Sequence, residues 1–317
     1  MKVCIIGFNI GRSKGFVNGP GTSLFNFVKF LNRYQKCNVS VYTQLPSLEA
    51  LSGVPIRTIY DTNSIKKDIL ESDIVHCWSG MTKEVFDILL IARKNNKKIF
   101  LGPNLIDTVH LSKEAHFISE ILPKKLFVVN NKIKKSVVKK HKLNAEMIKE
   151  VVVGPDLEIW SPPDVYSDVV LWKGNSRHMV KDIGFGLEVS KRLGKYNFLF
   201  LGHPKPYDYN SHIGIARSSY VYFTTSISET KGMALLEQMA AGVPSVTHSK
   251  IYQNGVNYKT GIIAERTVDA YCKAIEEIVE DKELRESMSK YSSDYVKSNF
   301  DPEDLAKQAV RYYLEED

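Results

Sequence analysis

The stretch "SISETKGMALLEQMAAGVPSVT", residues 226–247, reads as a complete loop–helix–break–strand unit. Polar residues lead to Gly232, a plausible helix start; the apolar residues of "GMALLEQMAAG" come next at helical spacing, and Gly242-Val243-Pro244 stops the helix before the β-branched "SVT". Two carboxylates stand in this unit. Glu229 lies on the loop and Glu237 sits more than one turn inside the helix, and both can look into the same cleft.

The same alternation runs outward in both directions. Upstream, "KVCIIG", "CNVSVYT", "SDIVHCW", "KKIFLG", "KKLFVV" and "KEVVVG" read as strands, with "TSLFNFVKFLNRY", "TKEVFDILLIARKNN" and less regular segments as helices between them. The segment "GPDLEIWSPPDVYSD" interrupts the pattern with Pro155, Pro162 and Pro163 and predicts a linker. The alternation then restarts with "DVVLWKG", "YNFLFLG", "SYVYFTT" and "PSVTH" as strands. Three helical patterns close the chain, the last with Asp301 at the N-cap and Pro302 at N1.

Apolar strands alternating with helices predict an α/β fold of two doubly wound, parallel-sheet, Rossmann-like domains with a helical C-terminal tail. The boundaries fall at 1–155 and 156–300, with the helix at 301–317 free to pack back on the first domain. Open parallel sheets bind ligands outside the carboxyl ends of their strands, so the two domains are expected to face a central cleft.

Composition fits this reading. The chain has 317 residues, 43% of them hydrophobic and 25% charged, with no low-complexity tract or fixed-period repeat, which excludes disordered and solenoid classes. The start "MKVCIIGFNIGR" is too short for a signal-peptide core, and no run approaches the roughly 18 apolar residues of a membrane span. A soluble cytoplasmic protein is expected, with peripheral contact at a membrane face left open. Cys4, Cys37, Cys77 and Cys272 never form a C-x-x-C pair; buried free thiols are expected, and no metal site.

Charge is uneven. Residues 1–160 hold 24 Lys and Arg against 14 Asp and Glu, the remainder 19 against 22. Eight lysines fall between Lys124 and Lys142, where Ile133, Val137 and Val138 form a narrow apolar seam and Lys132, Lys134, Lys135, Lys139 and Lys140 take the other helix faces. Such a surface is either simply solvated or engages a polyanion or an anionic membrane face.

The loop "GFNIGRSKGFVNGPGTS" carries glycines at 7, 11, 15, 19 and 21 but matches neither the dinucleotide fingerprint nor the P-loop. It is either a flexible surface loop or a place where Gly19 and Gly21 let the backbone approach a ligand phosphate at the helix start near Thr22 and Ser23. Of the two carboxylates, a pair can act as acid and base across a glycosidic bond, or clamp the vicinal hydroxyls of a sugar while the N–H groups of residues 231–233 face a diphosphate. Ordinary helix charge is the plainer alternative.

"SISETKGMALLEQMAAGVPSV" resembles the signature of the retaining, nucleotide-sugar-dependent glycosyltransferases of family 4, S-x-x-E-G-F-G-L-x-x-L-E-A-M-A-x-G-x-P-V. "VVVGPDLEIWSPP", "LWKGNSRHMVKDIGFGLEVSKRL", "FLFLGHP", "NYKTGIIA" and "DIVHCWSG" extend the resemblance over most of the chain. It implies the GT-B architecture and transfer of a sugar from a nucleoside-diphosphate sugar without a metal. It also implies roles: Glu229 on the donor sugar hydroxyls, Glu237 on the ribose, Lys231, Gly232 and Met233 presenting backbone N–H groups, Lys181 neutralising the leaving diphosphate, and Gly19 and Gly21 beneath that diphosphate.

Departures bear on the roles. Asn175 stands where the resemblance calls for arginine, with Arg177 two places later; Lys231 replaces an aromatic residue; and the first-domain strand ends in Asn104 where relatives have histidine, leaving that role to Asn104, His110 or neither. His76 reads as a cleft-floor residue.

The basic first half implies an anionic acceptor: a lipid-linked glycan at a membrane face, an acidic polysaccharide, or DNA. A compact basic transferase is similar to phage-type enzymes that glycosylate modified bases in DNA, for which Phe8, Phe16 and Trp78 are available for stacking, though they read as ordinary core candidates as well. The rival readings are a GT-B sugar-nucleotide epimerase or phosphorylase, and a catalytically silent nucleotide- or nucleic-acid-binding protein.

Overall fold

A computed structural model of the chain describes residues 1–7, 19–44, 50–79, 82–104, 117–204, 209–229, 231–248 and 256–315. It divides into two compact units, residues 1–153 with 302–317, and residues 154–301. The charge asymmetry tracks this division, with 26 Lys and Arg against 17 Asp and Glu in the first unit and 17 against 19 in the second.

The first unit contains β1 (Lys2–Gly7), α1 (Gly19–Arg33), β2 (Asn38–Thr43), β3 (Ala50–Leu51), β4 (Val54–Thr58), α2 (Thr62–Glu71), β5 (Ile74–Ser79), α3 (Lys83–Lys94), β6 (Lys98–Asn104), β7 (Lys125–Val128), α4 (Asn131–His141) and β8 (Ile148–Glu150). Its sheet runs β3-β4-β2-β1-β5-β6-β7-β8, parallel except for the β3–β4 pair. The β3–β4 pair has no mark in the sequence, because a two-residue strand and a strand containing Pro55 lack the period-2 apolar signal. The strand expected at "KEVVVG" falls instead at Ile148–Glu150, so that Val151, Val152 and Val153 lie beyond its end. Helix α1 starts at Gly19, so Gly19 and Gly21 lie in its first turn rather than in a loop before it.

The second unit contains β9 (Val169–Lys173), α5 (Ile183–Arg192), β10 (Asn197–Leu201), α6 (Tyr209–Arg217), β11 (Val221–Phe223), α7 (Met233–Ala240), β12 (Ser245–His248), β13 (Gly261–Ala264), α8 (Val268–Glu280) and α9 (Lys282–Asn299). Five parallel strands are ordered β10-β9-β11-β12-β13. β13 comes from "GIIA", which reads in the sequence as part of a turn. Helix starts are set by side chains that accept the first N–H groups: Asp281 from Leu284 at 2.8 Å, and Thr267 from Ala270 at 3.2 Å. Trp172, Val189, Phe223, Tyr271 and Ile275 build one apolar core under this sheet.

Helix α10 (Pro302–Leu314) belongs to the first unit and packs against α1. Its Tyr313 hydroxyl hydrogen-bonds His76 Nδ1, while His76 Nε2 donates to the Gly102 carbonyl at 2.7 Å. His76 is therefore a fully buried core residue among Phe27, Trp78, Phe100 and Phe127, not a cleft-floor group. All four cysteines are free and buried. Among the described residues no helix is long and apolar enough to cross a membrane.

Candidate active site

The second sheet reverses its winding at β9, which has β10 on one side and β11 on the other. Ligands of open parallel sheets bind outside the carboxyl ends of the strands at such a point. Lys173 ends β9 and Phe223 ends β11, and the segments leaving these two strands converge there.

After β9 the chain makes a short 3-10 turn, Met179–Lys181, and enters α5. After β11 comes the run Thr224–Glu229. The two segments are tied together. Thr225 Oγ1 donates to the Lys181 carbonyl at 2.7 Å and accepts from Trp172 Nε1 at 2.9 Å, and the Ile227 N–H donates to the Val180 carbonyl at 2.8 Å. Asp182 caps α5 in a left-handed conformation (φ 42°) and pairs with Arg266, which lies over the Phe185 ring at 4.9 Å. His248 Nε2 donates to the Ser226 carbonyl at 2.9 Å, holding the β11 segment from the β12 side.

This frame aims the charged side chains. The Lys181 ammonium pairs with the Glu229 carboxylate, and the Lys173 ammonium with the Glu237 carboxylate. The first pair is partly open, its side chains 22% and 16% exposed; the second is closed off at 3% and 4%. Gly174 has a reason to be glycine: a Cβ there would meet the Trp172 ring at 3.0 Å and Lys181 Cδ at 3.5 Å. Burial, with the charges of Glu229 and Glu237 adding to it, pushes the phenol of Tyr222 well above its ordinary range.

Helix α7 begins at Gly232, whose φ of 68° suits glycine and which offers no side chain to cap the first N–H groups. The positive end of the helix dipole therefore opens beside Glu229 in sequence. Lys231, placed where the resemblance calls for an aromatic residue, is buried with its ammonium 4.7 Å from the Phe300 ring centroid.

The other expected residues are scattered between the two units. Arg177 is exposed, and its side chain makes no ion pair among the described residues; its N–H donates to Asn175 Oδ1 at 3.1 Å. Met233 is the first residue of α7. Gly19 and Gly21 lie in the first unit, in α1, and Asn104 ends β6, its backbone in register with Ser79. His110, Phe8 and Phe16 lie outside the described residues. Trp78 is fully buried and stacked on Phe27 at 4.5 Å, which makes it a core residue and not a stacking platform for a base. On α4, Lys132, Lys135 and Lys139 are exposed and Lys134 half-buried, with Ile133 and Val137 forming the buried seam; Lys140 belongs to the helix, its side chain not described. Among the described residues no three His, Cys, Asp or Glu side chains group as metal ligands.

Sequence reasoning does not find Lys173, Thr225, Asp182 or Arg266. The one signal it offers is a lysine closing the otherwise apolar "VVLWK".

Residues 187–295 match the family of Glycosyl transferases group 1, a span that includes Glu229, Glu237 and Arg266 but stops short of Lys173 and Lys181. Solved structures match over nearly the whole chain. A glycosyltransferase from Rickettsia africae ESF-5 is 13% identical with a TM-score of 0.75, covering 98% of this chain and 97% of its own. Anabaena HepE, in complex with UDP and glucose, is 12% identical with a TM-score of 0.75 and 98% of each chain covered. The fold is GT-B. A third GT-B neighbour, a UDP-GlcNAc 2-epimerase from Neisseria meningitidis bound to UDP-GlcNAc, is 13% identical with a TM-score of 0.66 and covers all of both chains. No curated protein sequence matches the chain. Identities this low carry the GT-B fold and leave substrate and chemistry to the site itself.

Proposed function

We propose that this protein is a nucleoside-diphosphate-sugar-dependent glycosyltransferase of the retaining, family 4 kind, holding its donor in the unit 154–301 and working without a metal. The observation that carries the reading is the pair of carboxylates, Glu229 and Glu237, each met by a lysine at the carboxyl end of the switch strands beside the open N-terminus of α7. In this reading Glu237 accepts the ribose hydroxyls and Glu229 those of the donor sugar. The N–H groups at Lys231, Gly232 and Met233 and the Lys181 ammonium face the diphosphate, and stabilise it as it leaves. Arg177 is within the same loop and supplies a further cation. Gly19 and Gly21 serve the diphosphate from α1, and Asn104 or His110 takes the place of the usual first-domain histidine.

The ground-state pairing of Lys181 with Glu229 has a chemical consequence. Two lysines and two glutamates leave the four groups neutral, and an incoming diphosphate draws the Lys181 ammonium away from Glu229, freeing that carboxylate for the sugar. The acceptor is anionic in this reading, a lipid-linked glycan, an acidic polysaccharide or DNA. Its contact is the exposed lysine face of α4, in the unit that carries the excess of positive charge. A lipid-linked acceptor would bring with it peripheral attachment at a membrane face.

The test is release of nucleoside diphosphate from a panel of sugar nucleotides, with and without EDTA, and then product anomer analysis with anionic acceptors. Release that survives EDTA and is stimulated by an anionic acceptor supports the reading. Rapid formation of an epimeric sugar nucleotide with no acceptor would replace it with the epimerase reading, which the Neisseria meningitidis neighbour favours.

A further inference from the structure

Lys173 sits in a place where a lysine is costly. It is the last residue of β9, between the apolar core positions of the sheet and the site, and almost none of its surface reaches solvent. Its ammonium pairs with the Glu237 carboxylate, itself buried, and lies over the Trp160 ring, whose centroid is 4.3 Å away. Trp160 is fully buried and fixed in turn, its backbone N–H donating to the Asp156 carbonyl at 2.8 Å. Leu201 pairs with Lys173 in register on the β10 side, and the next residue, Gly174, donates its N–H to the Leu201 carbonyl at 3.0 Å.

Stability does not account for such a pair. A buried ion pair gives back in Coulomb energy about what it loses in desolvation, and an apolar pair of the same volume generally serves a core as well or better. The arrangement has a different chemical effect. A vicinal diol needs both oxygens of one carboxylate presented to it together, and a side chain with several rotatable bonds presents them that way only when it is held. An ammonium set against Glu237 and backed by a buried aromatic wall fixes which way that carboxylate is turned.

We propose that Lys173 is a positioning residue of the donor site, holding the Glu237 carboxylate turned so that it accepts the two hydroxyls of the donor ribose. This rests on reading Glu237 as the ribose acceptor. Lys173 itself touches no substrate. Its contribution is selectivity for ribonucleotides over nucleotides that lack the 2′ and 3′ hydroxyls.

The experiment compares affinity for the tightest-binding of UDP, GDP, ADP and CDP with that for its 2′,3′-dideoxy analogue, by calorimetric titration. The proteins are the wild type and the Lys173→Met, Lys173→Gln, Lys173→Arg and Glu237→Gln variants. The wild type is expected to prefer the ribonucleotide by about 100- to 10,000-fold, the worth of two hydrogen bonds to a charged acceptor. Lys173→Met loses the preference, because the ammonium that turns the Glu237 carboxylate is gone. Lys173→Arg keeps it, and Glu237→Gln loses it. Lys173→Gln carries the same test if the methionine variant fails to fold.

A ratio of affinities does not move when a variant is merely less stable, so the readout separates positioning from packing. Undiminished preference in both uncharged Lys173 variants, with Glu237→Gln losing it, overturns the role of Lys173 and leaves the ribose reading standing. Loss in all Lys173 variants, arginine included, marks a packing role and also overturns the proposal. Undiminished preference in Glu237→Gln sinks the ribose reading and the proposal with it, and failure of the wild type to bind any of the four removes the donor site itself.

Discussion

Replacing Lys181 with alanine removes one ammonium and leaves its backbone where it is. The Lys181 carbonyl is held by the Thr225 hydroxyl at 2.7 Å, and the preceding Val180 carbonyl by the Ile227 N–H at 2.8 Å; neither bond uses the lysine side chain. The cost to folding is small for the same reason. The ion pair with Glu229 is partly exposed, at 22% and 16%, between the surface and buried cases, and its loss is expected to lower stability by about 1–2 kcal/mol. The cost to chemistry is larger. A charged donor aimed at developing negative charge is worth about 2.7–4 kcal/mol, or roughly 100- to 1000-fold in turnover. Nucleoside diphosphate affinity is expected to fall less than turnover, because under the proposed function the N–H groups at the start of α7 would still face the diphosphate. The assay is steady-state release of nucleoside diphosphate from the sugar nucleotide, with kcat and KM resolved and the thermal midpoint measured on the same preparations. A kcat within about threefold of wild type refutes the leaving-group role, and an equal loss in kcat and in nucleotide affinity reassigns Lys181 to ground-state binding.

Three further outcomes test the surrounding frame. Thr225→Val deprives the buried Trp172 Nε1 and the Lys181 carbonyl of their common partner, and is expected to lower unfolding free energy by about 1–3 kcal/mol in urea denaturation, with Thr225→Ser close to wild type. Gln238, in α7, buries both ends of its amide with no hydrogen-bond partner among the described residues, so Gln238→Leu is expected to stabilise the protein by about 1 kcal/mol or more; destabilisation in the same assay contradicts that account. Burial lowers the pKa of His76 from 6.5 to about 4, so between these values the unfolded chain binds a proton that the folded protein refuses. Stability therefore falls as pH falls through that window, by up to about 1.4 kcal/mol per pH unit, and levels off below it. His76→Asn is expected to flatten that part of the urea-stability profile, and an unchanged slope assigns the acid sensitivity elsewhere.

The fold is legible because its signals are local. Runs such as "KVCIIG" and "VVLWK" become core strands, and the capping and breaking residues around α7, Gly232 and Gly242-Val243-Pro244, stand where its ends fall. Elements with weak local signals escape: β3 is two residues long, and β13 is four residues in a turn-rich context. Glu229, Glu237 and Lys181 stand out through the motif spacing. Lys173 does not, because a lysine at the end of a strand reads as a charge emerging into solvent. Its burial depends on Trp160, thirteen positions earlier, and on Glu237, sixty-four positions later. For Trp78 the sequence leaves two readings open, a stacking platform or core, and packing against Phe27 decides for core.

The measurement closest to the central claim is a thermal-shift series with UDP, GDP, ADP, TDP and CDP on the wild type and on Glu237→Ala. A nucleotide at about 100 times its Kd adds about 2.7 kcal/mol to stability, enough to move the midpoint by several degrees for units of this size. The account predicts that one of the five raises the wild-type midpoint by that amount and leaves Glu237→Ala unmoved. No shift with any of the five, or an equal shift in both proteins, contradicts a nucleotide-sugar site built on Glu237.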